Sequence, residues 1–122
     1  MEEIKIDNEI YVKKSSIKTT TKAVSKNGKE FCIIRTYSAG VFVGYIDRKI
    51  KGMERTIYDS RRVWYWDGAS SLSQLANEGT KKPGNCKIAQ IVSETDLNEV
   101  IEIIPCTENA KDNILGVKVW QE

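Results

Sequence analysis

Histidine is missing altogether from the 122 residues. Its absence removes the commonest general base, the commonest metal ligand and every histidine-dependent triad. Cysteine is sparse: Cys32, Cys86 and Cys106, odd in number and widely spaced. That pattern excludes a disulfide frame and a zinc knuckle and fits small buried side chains in a reducing compartment. There is no P-loop and no G-x-G-x-x-G. Metal-ligand spacing is absent, and the carboxylates are scattered with no pair placed for acid/base work. No long apolar run offers a transmembrane helix. The stretch Met1-Glu2-Glu3-Ile4-Lys5 has neither the basic nor the apolar region of a signal peptide. A formal net charge of +2 is too small to argue for wrapping DNA or RNA. These absences lower the expectation of catalysis, although carboxylate, lysine or tyrosine chemistry is still open to such a chain. The expectation is a non-enzyme without cofactor or metal.

What is present fits one domain with a real core. Ile4-Lys5-Ile6 and Glu9-Ile10-Tyr11-Val12, broken by Asp7-Asn8, read as a short hairpin. Lys13 to Lys29 is rich in Lys, Ser and Thr and reads as a surface arm, with some strand around Thr19 to Val24. Residues 1–29 are therefore expected as an N-terminal hairpin and arm, and residues 30–122 as the core. Phe31–Ser38, Val41–Ile46 and Thr56–Trp66 predict three strands of an antiparallel meander, with Ser38-Ala39-Gly40 as the first tight connection. Cys86–Val92, Val100–Ile104 and Gly116–Trp120 predict further strands, Pro105 ending the second. Cap signals over Ser93–Asn98 suggest a single helical turn, and Thr107 is placed to cap a short helix over Glu108–Asp112. The sum is an α+β domain: a mainly antiparallel β-sheet with two short helices.

The most distinctive stretch is Val63-Trp64-Tyr65-Trp66-Asp67-Gly68-Ala69-Ser70-Ser71-Leu72-Ser73-Gln74-Leu75, a strand turning into a helix. Ser71-Leu72-Ser73-Gln74 fits a capping box, and Gly79 suits the helix end. Strand alternation puts Arg62, Trp64 and Trp66 on one face and Arg61, Val63 and Tyr65 on the other. Two readings of the first face stand side by side. One is an arginine snorkelling past packed core tryptophans. The other is a platform that stacks a flat ring and pairs a phosphate. Free helix N–H groups near Gly68 suit an anion, yet most helix N-termini bind nothing and the capping box uses some donors. Exposed Trp, Tyr and Arg also suit a subunit interface.

Four stretches carry a resemblance: Ile34-Arg35-Thr36-Tyr37-Ser38-Ala39-Gly40-Val41-Phe42, Arg61 through Ala76, Pro83-Gly84-Asn85-Cys86-Lys87, and Glu99 through Thr107. Together they resemble a widespread phage and prophage family, and the chain is similar to the Thoeris anti-defence one proteins over roughly residues 30–122. That resemblance implies a phage sponge working in the host cell cytoplasm. Family members bind cyclic ADP-ribose isomers made by TIR-domain defence proteins and sequester them uncleaved. Their pockets lie between the subunits of a homodimer, and some members assemble into hexamers and capture other cyclic nucleotides. The small net charge and the lack of a long apolar run add the expectation of no membrane and no long nucleic acid as partners.

Site residues follow from chemistry, not from the resemblance. Trp64 or Trp66 is expected to stack on the purine, and Arg62 and Arg61 to pair the pyrophosphate. Ser70, Ser71 and the backbone around Gly68 are expected to meet phosphate oxygens. Asp67 and Asn85 are expected to bond ribose or base, and Ser38, Ala39 and Gly40 to allow close backbone approach. The alternative is a phage inhibitor that uses the Trp/Arg cluster as a protein–protein hot spot. A hydrolase without histidine is a third possibility.

Overall fold

The computed structural model describes residues 25–122. The hairpin expected over Ile4–Val12 and the strand around Thr19–Val24 lie outside the described residues. Asn27-Gly28 is the tight turn of a hairpin between β1 (Ser25–Lys26) and β2 (Lys29–Thr36). Both turn residues have positive φ, 53° and 80°, the conformation that makes Asn-Gly a strong hairpin signal.

From there the chain makes the expected meander. β2, β3 (Val41–Ile46) and β4 (Arg55–Tyr65) pair antiparallel, with Ile33 opposite Val43 and Phe42 opposite Arg62. α1 (Leu72–Glu78) follows, then a 3-10 turn at Pro83–Asn85 and the two-residue β5 (Lys87–Ile88). β6 (Val92–Leu97), β7 (Val100–Pro105) and α2 (Glu108–Leu115) complete the described elements. The fold class is α+β with an antiparallel sheet.

Both faces of the meander are largely covered, one by the curl of the last strands and the other by the two helices, while the Trp64-Tyr65 end of β4 is exposed. β6 pairs with β4 along Arg55–Ser60, and β7 pairs with the opposite flank, β2. Only Asn98 and Glu99 separate β6 from β7. Tyr37 N–H donates to the Glu99 carbonyl at 2.9 Å, and Val100 N–H donates to that of Met53 at 3.0 Å. This corner curls the sheet around Cys32, Ile34, Phe42, Ile46, Ile57, Leu97 and Val100. The other face packs Phe31, Ile33, Val43, Tyr45 and Val63 against Leu75 and Ala76 of α1 and Ala110 and Ile114 of α2. Each large apolar side chain so buried contributes about 1.5–3 kcal/mol. Truncating one, as in Ile114→Ala, leaves a cavity costing about 2–5 kcal/mol.

Three expectations need correction. Ser93–Asn98 is no helical turn: residues 92–97 are strand β6. Its polar side chains are paid for by the ladder, since Thr56 Oγ1 donates to Asp96 at 2.7 Å and the Ser60 and Thr95 hydroxyls lie 2.9 Å apart. The strand expected over Cys86–Val92 is paired only at Lys87–Ile88 before the chain passes to β6. The last strand shrinks to one parallel bridge, Ile88 with Val119. The second helix, by contrast, runs beyond Asp112 to Leu115, with Thr107 as N-cap accepting from Ala110 N–H.

Candidate functional site

The alternation along β4 sends adjacent arginines to opposite fates. Arg61 points to the helix side and is 2 % exposed. Its Nε donates to the Ala89 carbonyl at 2.7 Å. One terminal nitrogen donates to Ile114 and Leu115, the other to Ile88 and Val117, at 3.0–3.4 Å. Five carbonyl acceptors surround one guanidinium, whose pKa burial lowers from its ordinary value. A guanidinium stays charged nevertheless. Arg61 is thus withdrawn from the candidate site: it fastens the end of α2 and the C-terminal stretch to the sheet and has no donor to offer a ligand.

Arg62 takes the other side, where Phe42 is its cross-strand neighbour. Its guanidinium carbon sits 4.7 Å from the Phe42 ring centre and 5.4 Å from the Trp64 ring. Cation–ring contacts of this kind are worth about 0.5–2 kcal/mol, more where water is excluded. Trp64 in turn meets Trp120 edge to face, centroids 6.2 Å apart at 64°. Trp120 is held there by its backbone N–H, which donates to the Ile88 carbonyl at 2.9 Å. Lys87 of β5 places its ammonium 5.6 Å from the Trp120 ring. The result is a strip of two indoles, one ring beneath a guanidinium, and two cations. Trp64 and Trp120 remain 58 % and 48 % exposed, so this is surface and not core.

One atom in the strip is out of balance. Arg62 Nε is buried and has no hydrogen-bond partner among the described residues. Native proteins leave few such donors, because each costs about 1–3 kcal/mol.

The remaining expected residues do other work. Trp66 does not share a face with Trp64. β4 ends at Tyr65, and the Trp66 indole turns to the helix-side core, donating to the Ala69 carbonyl at 3.2 Å. Asp67 and Gly68 knot the turn to the 80–86 loop. Asp67 Oδ1 accepts from Gly68 N–H at 2.8 Å, and Oδ2 from the Asn85 amide at 3.1 Å. Those bonds, Asn85's foremost, hold the Asp67 carboxyl below its ordinary pKa. The Asp67 carbonyl accepts from Thr80 Oγ1, which accepts in turn from Lys82 N–H at 2.9 Å. Gly68 has φ +85°, and a Cβ there would lie 2.5 Å from the Lys82 nitrogen. The glycine serves chain-to-chain approach and not ligand approach.

Ser70 and Ser71 are consumed by the helix cap. Gln74 N–H donates to Ser71 Oγ at 3.1 Å. Ser70 N–H and Oγ both donate to Gln74 Oε1 at 2.8 Å. The expected phosphate seat at this helix end is therefore filled from within.

The Ser38-Ala39-Gly40 turn is also internally bonded. Thr36 Oγ1 donates to the Gly40 carbonyl at 2.8 Å and accepts from Ala39 N–H at 2.9 Å. Gly40 precedes Val41, the partner of Val63, so register sets it beside Trp64. Ser38 and Ala39 instead line a separate cleft of about 160 Å³, where Ser38 bonds the Glu99 carboxylate.

Of the expected residues, the structure brings together Arg62 and Trp64, with Gly40 adjacent. Phe42, Lys87 and Trp120 join them unforeseen. Phe42 sits within a segment read correctly as a strand, and Lys87 within the two residues of the Cys86–Val92 segment that pair as β5, but only register shows them flanking Arg62 and Trp64. Among the described residues no three Cys, Asp or Glu side chains gather as metal ligands would, and no helix is long and apolar enough to cross a membrane.

Residues 29–114 match the model of a family described as a domain of unknown function, DUF6948. The match takes in Phe42, Arg62, Trp64 and Lys87 and stops short of Trp120. No curated protein and no solved structure matches the chain.

Proposed function

We propose a binding function for this chain, which belongs to the DUF6948 family: it holds a phosphorylated, flat-ringed small molecule on the Trp64–Trp120 strip and does not transform it. The observation that carries the reading is the Arg62 guanidinium over the Trp64 ring, beside the exposed Trp64–Trp120 indole pair. The guanidinium attracts an anionic oxygen from outside, a ring stacks on the exposed indole, and Lys87 balances further charge. Base–aromatic stacking supplies about 1–3 kcal/mol per base.

The specific form we favour is a phage sponge that sequesters a cyclic ADP-ribose isomer, or a related cyclic nucleotide, in the host cytoplasm. This rests on the sequence resemblance to the Thoeris anti-defence one proteins. Capture of a scarce messenger asks for nanomolar affinity, about 12 kcal/mol. An open strip on one chain falls short of that, so the reading requires a second copy to cover the strip and make a recess.

The test is direct. Purified protein is incubated with cyclic ADP-ribose isomers, freed of unbound ligand and heat-denatured, and the supernatant is read by mass spectrometry. The expected result is intact ligand, lost in a folded Trp64→Ala/Arg62→Ala double variant. Recovery of a cleaved product, or full retention by that variant, overturns the proposal.

A second reading is favoured by the strip's openness. Trp and Arg on an exposed sheet face are the residues of protein–protein hot spots. On that reading the wild-type protein retains no small molecule at all.

A further inference from the structure

A second cleft, of about 240 Å³, opens on the helix side of the sheet, away from the aromatic strip. Its walls are Tyr45 and Tyr58, cross-strand partners on β3 and β4. Each ring carries an ammonium: Lys26 lies 5.2 Å from the Tyr45 centroid and Lys29 lies 4.8 Å from that of Tyr58. Asp59 and Ser93 complete the rim.

Asp59 is there by distortion. The β3–β4 register slips between Val43 and Tyr45, and Asp59 adopts φ +49° at the slip. For a residue with a Cβ the left-handed region costs about 1 kcal/mol. Gly44 makes the irregularity possible, since a Cβ there would lie 3.1 Å from the Tyr58 carbonyl and the Ser60 Cα. Bulges of this kind re-aim a side chain. Here the bulged strand delivers the Asp59 carboxylate to the cleft, 3.1 Å from Lys26 Nζ. Both partners of that pair are about half exposed, so the ion pair by itself is worth less than the strain.

We propose that this cleft binds a small phosphomonoester bearing neighbouring hydroxyls, of the size and type of a pentose phosphate. The two ammoniums and one carboxylate leave the rim with one net positive charge, which selects an anion. The phosphate sits between Lys29 and Lys26, displacing part of the Lys26–Asp59 attraction. Asp59 then accepts from vicinal hydroxyls, and Ser93 donates or accepts beside it. Size sets the class: the volume lies below the range of about 300–1,000 Å³ typical of drug-sized ligands, which shuts out a dinucleotide. The site is independent of the aromatic strip, in both residues and ligand size.

The test is a titration of the full chain, isotope-labelled, followed by amide and side-chain NMR. Ribose 5-phosphate is the probe, with ribose and inorganic phosphate as separate arms. The expected result is saturable shifts at Lys26, Lys29, Tyr45, Tyr58, Asp59 and Ser93, with ribose 5-phosphate bound at least about tenfold tighter than either arm. Lys29→Met weakens it by about tenfold or more. Asp59→Gly abolishes the preference over inorganic phosphate while the melting temperature holds or rises, because glycine relieves the positive φ. Equal affinity for inorganic phosphate in the wild type marks an adventitious anion only and overturns the proposal. So does the absence of saturable shifts, or an Asp59→Gly protein that keeps its preference.

Discussion

Replacing Arg61 with methionine isolates the work of a buried guanidinium that has five acceptors and, among the described residues, no counter-ion. Methionine keeps the length of the stem and most of its packing. Two of the five carbonyls keep another donor: Ile88 still accepts from Trp120 N–H at 2.9 Å, and Ile114 from Val117 N–H at 3.1 Å. Those of Ala89, Leu115 and Val117 lose their Arg61 bond. The Val117 bond is buried and the other two are part-buried. One fully stranded acceptor costs about 2 kcal/mol, and two that can recover water cost less than about 1 kcal/mol each. Relief from desolvating the guanidinium opposes these terms, as replacement of buried charge generally does. These costs sum to less than about 4 kcal/mol, so with the opposing relief the expected net loss is about 2 kcal/mol, which lowers the melting temperature of a domain this size by about 8 °C. Arg61→Lys is expected to lose at least as much, because an ammonium has three donors for five acceptors and is harder to desolvate. Urea denaturation monitored by circular dichroism measures the loss. Amide exchange locates it, with Val117 and Trp120 predicted to lose protection first. A methionine variant within about 1 kcal/mol of wild type would refute the reasoning.

Gly68→Ala is expected to destabilise by about 2–4 kcal/mol, since its Cβ would lie 2.5 Å from the Lys82 nitrogen at φ +85°; thermal melting checks it, and an unchanged transition contradicts the knot described at that turn. Burial pushes the Cys32 and Cys106 thiols up to about 12. The folded state therefore keeps protons that the unfolded state releases above about pH 9, and stability falls from there toward pH 12 by about 1.4 kcal/mol per pH unit for each thiol. Chemical denaturation at pH 8 and pH 10.5 reads that slope, and a flat profile rules it out. Asp67 has the opposite sign: its depressed pKa gives stability that is present above the ordinary carboxylate range and lost as pH falls through the lower folded value. Asn85→Ala should shift the acid transition upward, a change visible by fluorescence. Thr107→Ala removes the cap of α2 and is expected to cost about 1 kcal/mol in urea denaturation.

The elements with local signals were legible in the sequence. The alternation of Phe31–Ser38 and Val41–Ile46, the Ser71 capping box and the Gly79 stop are each written within a few residues, and each stands where expected, save that β2 ends at Thr36 and leaves Tyr37 and Ser38 in the turn. Ser93–Asn98 failed because Ser, Thr and Asp serve helix caps and polar edge strands alike; its partner strand is some forty residues away in sequence and decides between them. The candidate site was half legible. Arg62 and Trp64 follow from strand alternation alone. Alternation parts Arg61 from Arg62 but does not say which of the two is buried, since neither alternation nor charge says which face the helices cover. Trp66 lies one residue beyond the end of β4, where alternation stops applying. Trp120 reaches Trp64 only through the single bridge at Val119, a contact with no local signature.

The corner at Asn98-Glu99 has a consequence for biosynthesis. Until β6 and β7 have left the ribosome, a nascent β2–β4 meander shows both flanks and one apolar face to the cytosol. Pairings such as Thr36 with Val100 and Arg55 with Leu97 span long loops, so the chain belongs with slow, non-local folders. A stalled or truncated product ending before Val92 should therefore be a chaperone client and a seed for inclusion bodies.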